Sequence, residues 1–138
     1  MLETDEAERR DDALRGDFIF EPEPEEILEQ RTGGLLVHRT KASDLRMAAA
    51  MEHLVETPGK HAITTEGHPD WLRTTVACKL EPGQKLRVVK LAAYGWSSHR
   101  SLPAVRDQVG GALASARLDG WEGLLDAQRD YLDEFWDH

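Results

Sequence analysis

From Gly33 onward, hydrophobic and polar positions fall into patterns that identify elements. Leu35-Leu36-Val37-His38-Arg39-Thr40 reads as a strand, and polar Lys41-Ala42-Ser43-Asp44 as a turn. In the next stretch two signals conflict. The Ala, Met and Leu content of residues 45–55 favours a helix. The period of two, with Leu45, Met47, Ala49, Met51 and Val55 on one face, favours a strand, and the strand is the reading adopted. Pro58-Gly59 then breaks the chain. From Trp71 to Leu80 the alternation is regular, with Leu72, Thr74, Val76, Cys78 and Leu80 on one face and Arg73, Thr75 and Lys79 on the other. Glu81-Pro82-Gly83-Gln84 has turn chemistry, because proline presets φ and glycine supplies positive φ. Lys85–Tyr94 is again strand-like, so the two runs are expected to pair as an antiparallel hairpin.

After Gly95 the period becomes helical. Ser101 can cap a helix whose first turn tolerates Pro103, and Leu102, Val105, Val109, Ala112, Leu113 and Ala116 form its stripe. Asp119-Gly120-Trp121-Glu122 resembles a capping box, so a second helix is expected from about Gly120 to about Trp136. Its stripe is Trp121, Leu124, Leu125, Tyr131, Leu132, Phe135 and Trp136, still running at the end of the sequence. Such a stripe implies a packing partner, and Trp121, Leu125, Leu132, Phe135 and Trp136 are its candidate interface residues. The fold class is therefore α+β, an antiparallel sheet followed by two helices. Residues 1–16, charged and poor in large apolar side chains, read as disordered or marginally helical. Glu21-Pro22-Glu23-Pro24-Glu25-Glu26 reads as an extended linker, with Phe18, Ile19 and Phe20 as a short strand or anchor before it.

Charge divides the 138 residues the same way. Residues 1–31 carry −8, residues 32–118 carry +5 and residues 119–138 carry −6. The basic residues of the middle are interspersed with apolar ones, as on the solvated side of a sheet, so a nucleic-acid partner is not expected. No apolar run is long enough to span a membrane, and the acidic start lacks the features of a secretory signal. The single cysteine, Cys78, rules out an internal disulfide framework and suits a reducing, cytoplasmic setting.

Little in the sequence carries chemistry. The six histidines form no metal-ligand spacing, and His38 and His53 could meet only across neighbouring strands, so no metal or other cofactor is expected. Cys78 lies on an apolar strand face and reads as an inert thiol. Ser97, Ser98 and Ser101 have His99 nearby but no nucleophile elbow. The carboxylate runs read as solvated faces rather than a catalytic pair. Tyr94-Gly95-Trp96 has two readings: aromatics at a strand end can stack on a sugar ring, or they can plug the joint between sheet and helix, which is the preferred one. Tyr94 and Trp96 are the candidate substrate-binding residues, with Trp71 added if the chain is an independent carbohydrate-binding module.

The run from Leu86 through Tyr94-Gly95-Trp96-Ser97-Ser98-His99-Arg100-Ser101 to Val109 resembles the end of the N-terminal β-sandwich of glycoside hydrolase family 65. So do Gly120-Trp121-Glu122-Gly123-Leu124-Leu125, Gln128-Arg129 and Tyr131–Trp136, and, more loosely, Gly33–Thr40 and Leu45–Met51. The resemblance covers residues 33–138. It implies a partial sandwich at 33–98 and a helical linker at 99–138 leading to a catalytic α/α barrel, with residues 1–32 as an unmatched acidic leader. It further implies inverting phosphorolysis or hydrolysis of α-glucosides such as maltose, trehalose and kojibiose, with the general-acid glutamate in the barrel. This chain would then be a non-catalytic portion, inactive alone, with a scaffolding and interface role. The barrel would be its partner and homo-oligomerisation is possible. The alternatives are an independent carbohydrate-binding module and an oligomerisation domain.

Overall fold

The structure, a computed structural model, describes residues 20–137. The expectations for residues 1–16 and for Phe18 and Ile19 lie outside them. The elements are β1 (Phe20–Pro22), β2 (Glu26–Ile27), β3 (Gly33–Thr40), β4 (Arg46–Glu56), β5 (His61–His68), β6 (Trp71–Cys78), β7 (Arg87–Ser97) and α1 (Leu102–Trp136). The α+β class holds, with every strand pair antiparallel. One sheet runs β1-β3-β4-β7, with β2 also paired to β3; β5 and β6 form a second, two-stranded sheet.

Residues 46–56 are a strand, as the period of two indicates and against local helix propensity. The deciding influence is a neighbour on each side, β3 and β7, which satisfy its backbone groups. The buried face of β4 is the small-residue one, Ala48 and Ala50 with Glu52, while Met47, Ala49 and Met51 point the other way. Ala48, Ala50, Ala93 and Gly95 make a flat floor on which α1 lies closely, and Val105, Val109 and Leu113 fill the contact with Leu35, Val37 and Leu91. A Cβ placed on Gly95 would come within 2.9 Å of Val109 Cγ1, so glycine sets the approach of helix to strand.

The expected pairing of Trp71–Leu80 with Lys85–Tyr94 does not occur. The turn between them is present, with Gln84 N–H donating to Glu81 C=O at 3.0 Å and Gly83 at φ 87°. However, β6 turns back on β5 across Pro69-Asp70, with His68 opposite Trp71, and β7 runs beside β4 for its whole length. An eleven-residue ladder outweighs a local turn, and β5, with its threonine-rich and weakly alternating sequence, gave no strand signal of its own. In the structure Thr65 Oγ1 donates to Arg31 C=O at 2.7 Å and lies 2.9 Å from Thr74 Oγ1, which fastens the small sheet to the loop before β3.

The two expected helices are joined in one 35-residue element with a kink at Gly120 (φ 67°, ψ −179°). Ser101 caps it as expected, its Oγ accepting from Ala104 N–H at 3.4 Å. The acidic segment before β3 is anchored by charge to the basic body: Glu21 to Arg39 at 2.6 Å, Glu23 to Arg46 at 3.8 Å and Glu26 to Arg106 at 3.8 Å. That anchoring lets two short strands form where the prolines alone suggest a free linker.

Candidate functional site

The sheet has one face under α1 and one face largely open. On the open side, β6 reaches over β3, where Leu72 lies beside Gly34 and Leu36. Beyond that partial roof the face consists of Met47, Ala49 and Met51 from β4 and of Val88, Lys90, Ala92, Tyr94 and Trp96 from β7. Tyr94 is 73% and Trp96 67% exposed. They stand on the face opposite the helix, so they do not plug the sheet–helix joint. That closure is made by Gly95 against Val109 and Gln108. As alternate residues of one strand, the two aromatics sit side by side, roughly 7 Å apart. Tyr94 lies opposite Ala49 and Trp96 opposite Met47. The depression at Leu36, Met51, Leu72 and Tyr94 holds about 150 Å³, below the usual range for a small-molecule pocket. The face offers a flat apolar surface rather than an enclosed catalytic site.

The C-terminal part of α1 is the second exposed apolar region. Trp121, Leu125, Leu132 and Phe135 are exposed, and Trp136 is 77% so. Tyr131 stacks near Phe135 and Phe135 meets Trp136 edge-on, so these rings contact one another along the helix surface. Trp71, the third candidate sugar-stacking residue, lies beside His68 and Arg73 on the small sheet.

A cleft of about 600 Å³ lies between α1 and the loop before β3, with Gln30, Glu52 and Arg117 on its walls. Sequence reasoning passed over Glu52 because it falls in an alternating apolar run. Its carboxylate is buried (the residue is 6% exposed) and accepts from Arg117 Nη1 at 2.9 Å and from Thr32 Oγ1 at 3.5 Å. This pair ties helix to sheet. His38 and His53 sit at opposite ends of the β3–β4 ladder, and His53 Nδ1 lies 3.0 Å from Thr32 C=O. Ser97 Oγ accepts from the N–H groups of His99 and Arg100, both at 3.1 Å, which makes it a turn cap. Cys78 is half-buried on its strand, opposite His61. No cluster of three or more His, Cys, Asp or Glu suited to a metal occurs among the described residues. No helix among them is long and apolar enough to cross a membrane.

Among the described residues, then, the sheet leaves one apolar face largely open and α1 exposes several large apolar side chains in its second half. The family described as glycosyl hydrolase family 65, N-terminal domain, matches residues 4–135. The chain belongs to glycosyl hydrolase family 65. Its resemblance at residues 33–138 thus extends into the acidic leader that seemed unmatched. Among similar proteins, an uncharacterized glycosyl hydrolase of Mycobacterium tuberculosis (strain ATCC 25618 / H37Rv) is 68% identical over 105 residues. One of Mycobacterium leprae (strain TN) is 66% identical over 105 residues. Each match covers 76% of this chain and 13% of the relative's length. No solved structure matches the chain.

Proposed function

We propose that the chain is the non-catalytic sandwich and linker portion of a family 65 enzyme that processes α-linked glucosides by phosphorolysis or hydrolysis in the cytoplasm. The single observation that supports this best is the pair of exposed apolar surfaces on a chain that matches the family's N-terminal domain. In this reading Trp121, Leu125, Leu132, Phe135 and Trp136 dock against the catalytic barrel, and the sheet shapes one wall beside it. The chain supplies rigidity and position, and the acid that protonates the leaving oxygen belongs to the barrel. The purified chain, incubated with maltose, trehalose or kojibiose with and without inorganic phosphate, should release neither glucose nor glucose 1-phosphate. Turnover that tracks with the purified chain would overturn the proposal.

A second reading is favoured by the adjacent, outward rings of Tyr94 and Trp96, a spacing that suits two successive sugar faces. Here the chain binds α-glucans by itself. Calorimetry should then give saturable heats with maltoheptaose that Trp96→Ala abolishes. Flat titrations at millimolar ligand would remove this reading and leave the scaffold.

A further inference from the structure

We propose that Asp119-Gly120, at the kink of α1, is a site of spontaneous backbone modification. There the aspartate closes onto the next peptide nitrogen as a succinimide, which reopens as isoaspartate.

The sequence supplies the chemistry. The chain has no asparagine, and Asp119 is the only aspartate in it that glycine follows. Ring closure requires the nitrogen of the following residue to reach the side-chain carboxyl carbon. A Cβ on that residue crowds the approach, and glycine has none. The bond that forms joins Gly120 N to Asp119 Cγ. The carboxyl hydroxyl and the amide proton leave together as water. Water then returns at one of the two ring carbonyls. Attack at Cγ restores aspartate. Attack at the main-chain carbonyl leaves the chain running through Cγ, with one more methylene in the backbone and the α-carboxylate as the side group. Both reacting atoms belong to adjacent residues and water is the only co-reactant, so the step asks nothing of a partner.

The structure supplies the freedom. In a regular helix each N–H is held to the carbonyl four residues back and ψ stays at about −42°, which keeps the nitrogen from swinging toward a side chain. Asp107, Asp126, Asp130 and Asp133 lie in such backbone, each before a residue that carries a Cβ. Gly120 is the non-helical position inside α1, at φ 67°, ψ −179°. Its ψ turns the peptide to Trp121 out of line with the ladder, so the backbone opens here at less cost than within either half. A Cβ on Gly120 would meet nothing within 4 Å, which leaves room for the ring. Asp119 is exposed, and among the described residues no ion pair or hydrogen bond holds its carboxylate. Asp126, by contrast, is held by Arg129 at 2.9 Å. The buried residues of α1, Val105, Val109 and Leu113, all precede the kink. An added methylene therefore enters between the half seated on the sheet and the half that carries Trp121 and Trp136, and it changes the direction in which the second half leaves the first.

The test is to age the whole folded chain near neutral pH for several weeks and digest samples with trypsin. The peptide 118–129 should split into two chromatographic peaks of identical mass, the new one growing with time. A protease that cuts before aspartate should fail at residue 119 in the new peak and still cut before Asp126. An isoaspartate-specific carboxyl methyltransferase, given radiolabelled S-adenosylmethionine, should label aged wild type and not aged Asp119→Glu, which keeps the charge. The free peptide 118–129, aged in parallel, gives the rate without tertiary structure. The folded chain should isomerise within about threefold of it, as expected where local opening costs little. A folded chain slower than the peptide by about tenfold or more would overturn the proposal, because the helix would then protect Gly120 as it protects its interior. So would a single unchanged peak, or labelling that survives in Asp119→Glu.

Discussion

Replacing Gly33 with alanine should lower the unfolding free energy by about 3 kcal/mol, measured by urea denaturation, with the loss appearing in the midpoint rather than in the slope. A Cβ at this position would lie 1.9 Å from Met51 O, 2.7 Å from Met51 C and 2.9 Å from Glu52 Cα. All three are backbone atoms of the neighbouring strand and cannot turn aside as a side chain would. The β3–β4 ladder must separate at its end, where Gly33 pairs with Glu52 and His53 N–H donates to Thr32 C=O at 2.9 Å. The strain therefore reaches the buried Glu52–Arg117 pair. Gly110 is the counterpart. It is helical, nothing lies within 4 Å of its added Cβ, and Gly110→Ala should stabilise by roughly 0.5–1 kcal/mol through helix propensity. Two glycine-to-alanine changes of opposite sign separate a packing requirement from a backbone preference. Equal effects would refute the close-approach account of Gly33.

What the sequence made legible was local. The alternation of residues 45–55 identified β4 despite its alanines, because period reports burial while propensity reports only the isolated backbone. Ser101, Pro103 and the Val105–Val109–Leu113 stripe marked the start and buried side of α1. Asp119-Gly120 marked the kink and the helical residues beyond it, though not that the two stretches join in one element.

What stayed illegible was the choice of partner. The turn at 81–84 is real, yet it joins strands of different sheets, because strand pairing is decided by contacts far apart in the chain. The same cause hid the direction of Tyr94 and Trp96. A strand tells which residues share a face but not which face the helix will take. Here the helix took the side of small residues, Ala48, Ala50, Ala93 and Gly95, and left the larger side chains outside. Glu52 was missed for a related reason: a carboxylate within an apolar alternation looks solvated until Arg117, 65 positions later, is found beside it. Charge partition, by contrast, carried more than it first showed. The acidic segment and the basic body are complementary, and three ion pairs join them, two to Arg39 and Arg46 of the β3–β4 segment and one to Arg106 of α1.

Val109→Asp should detach the helix from the sheet, at a cost on the order of 3–5 kcal/mol. Val109 is wholly buried, in contact range of Gly95, and sits at the centre of the row formed with Val105 and Leu113. An aspartate there faces Ala48, Ala50, Leu91 and Ala93, with no cation among the core residues to pair with it. Val109→Ala, which only leaves a small void, should cost about 2 kcal/mol, so the difference isolates the buried charge from the lost volume. The β5–β6 sheet is held to the body by Thr65 on the loop before β3 rather than by α1. Hydrogen exchange should consequently show early loss of protection in α1 and β7, with β5 and β6 following only at global unfolding. If Val109→Asp costs no more than Val109→Ala, the helix is not seated by this contact. The floor of small residues would then have to be explained by something other than the close approach of α1.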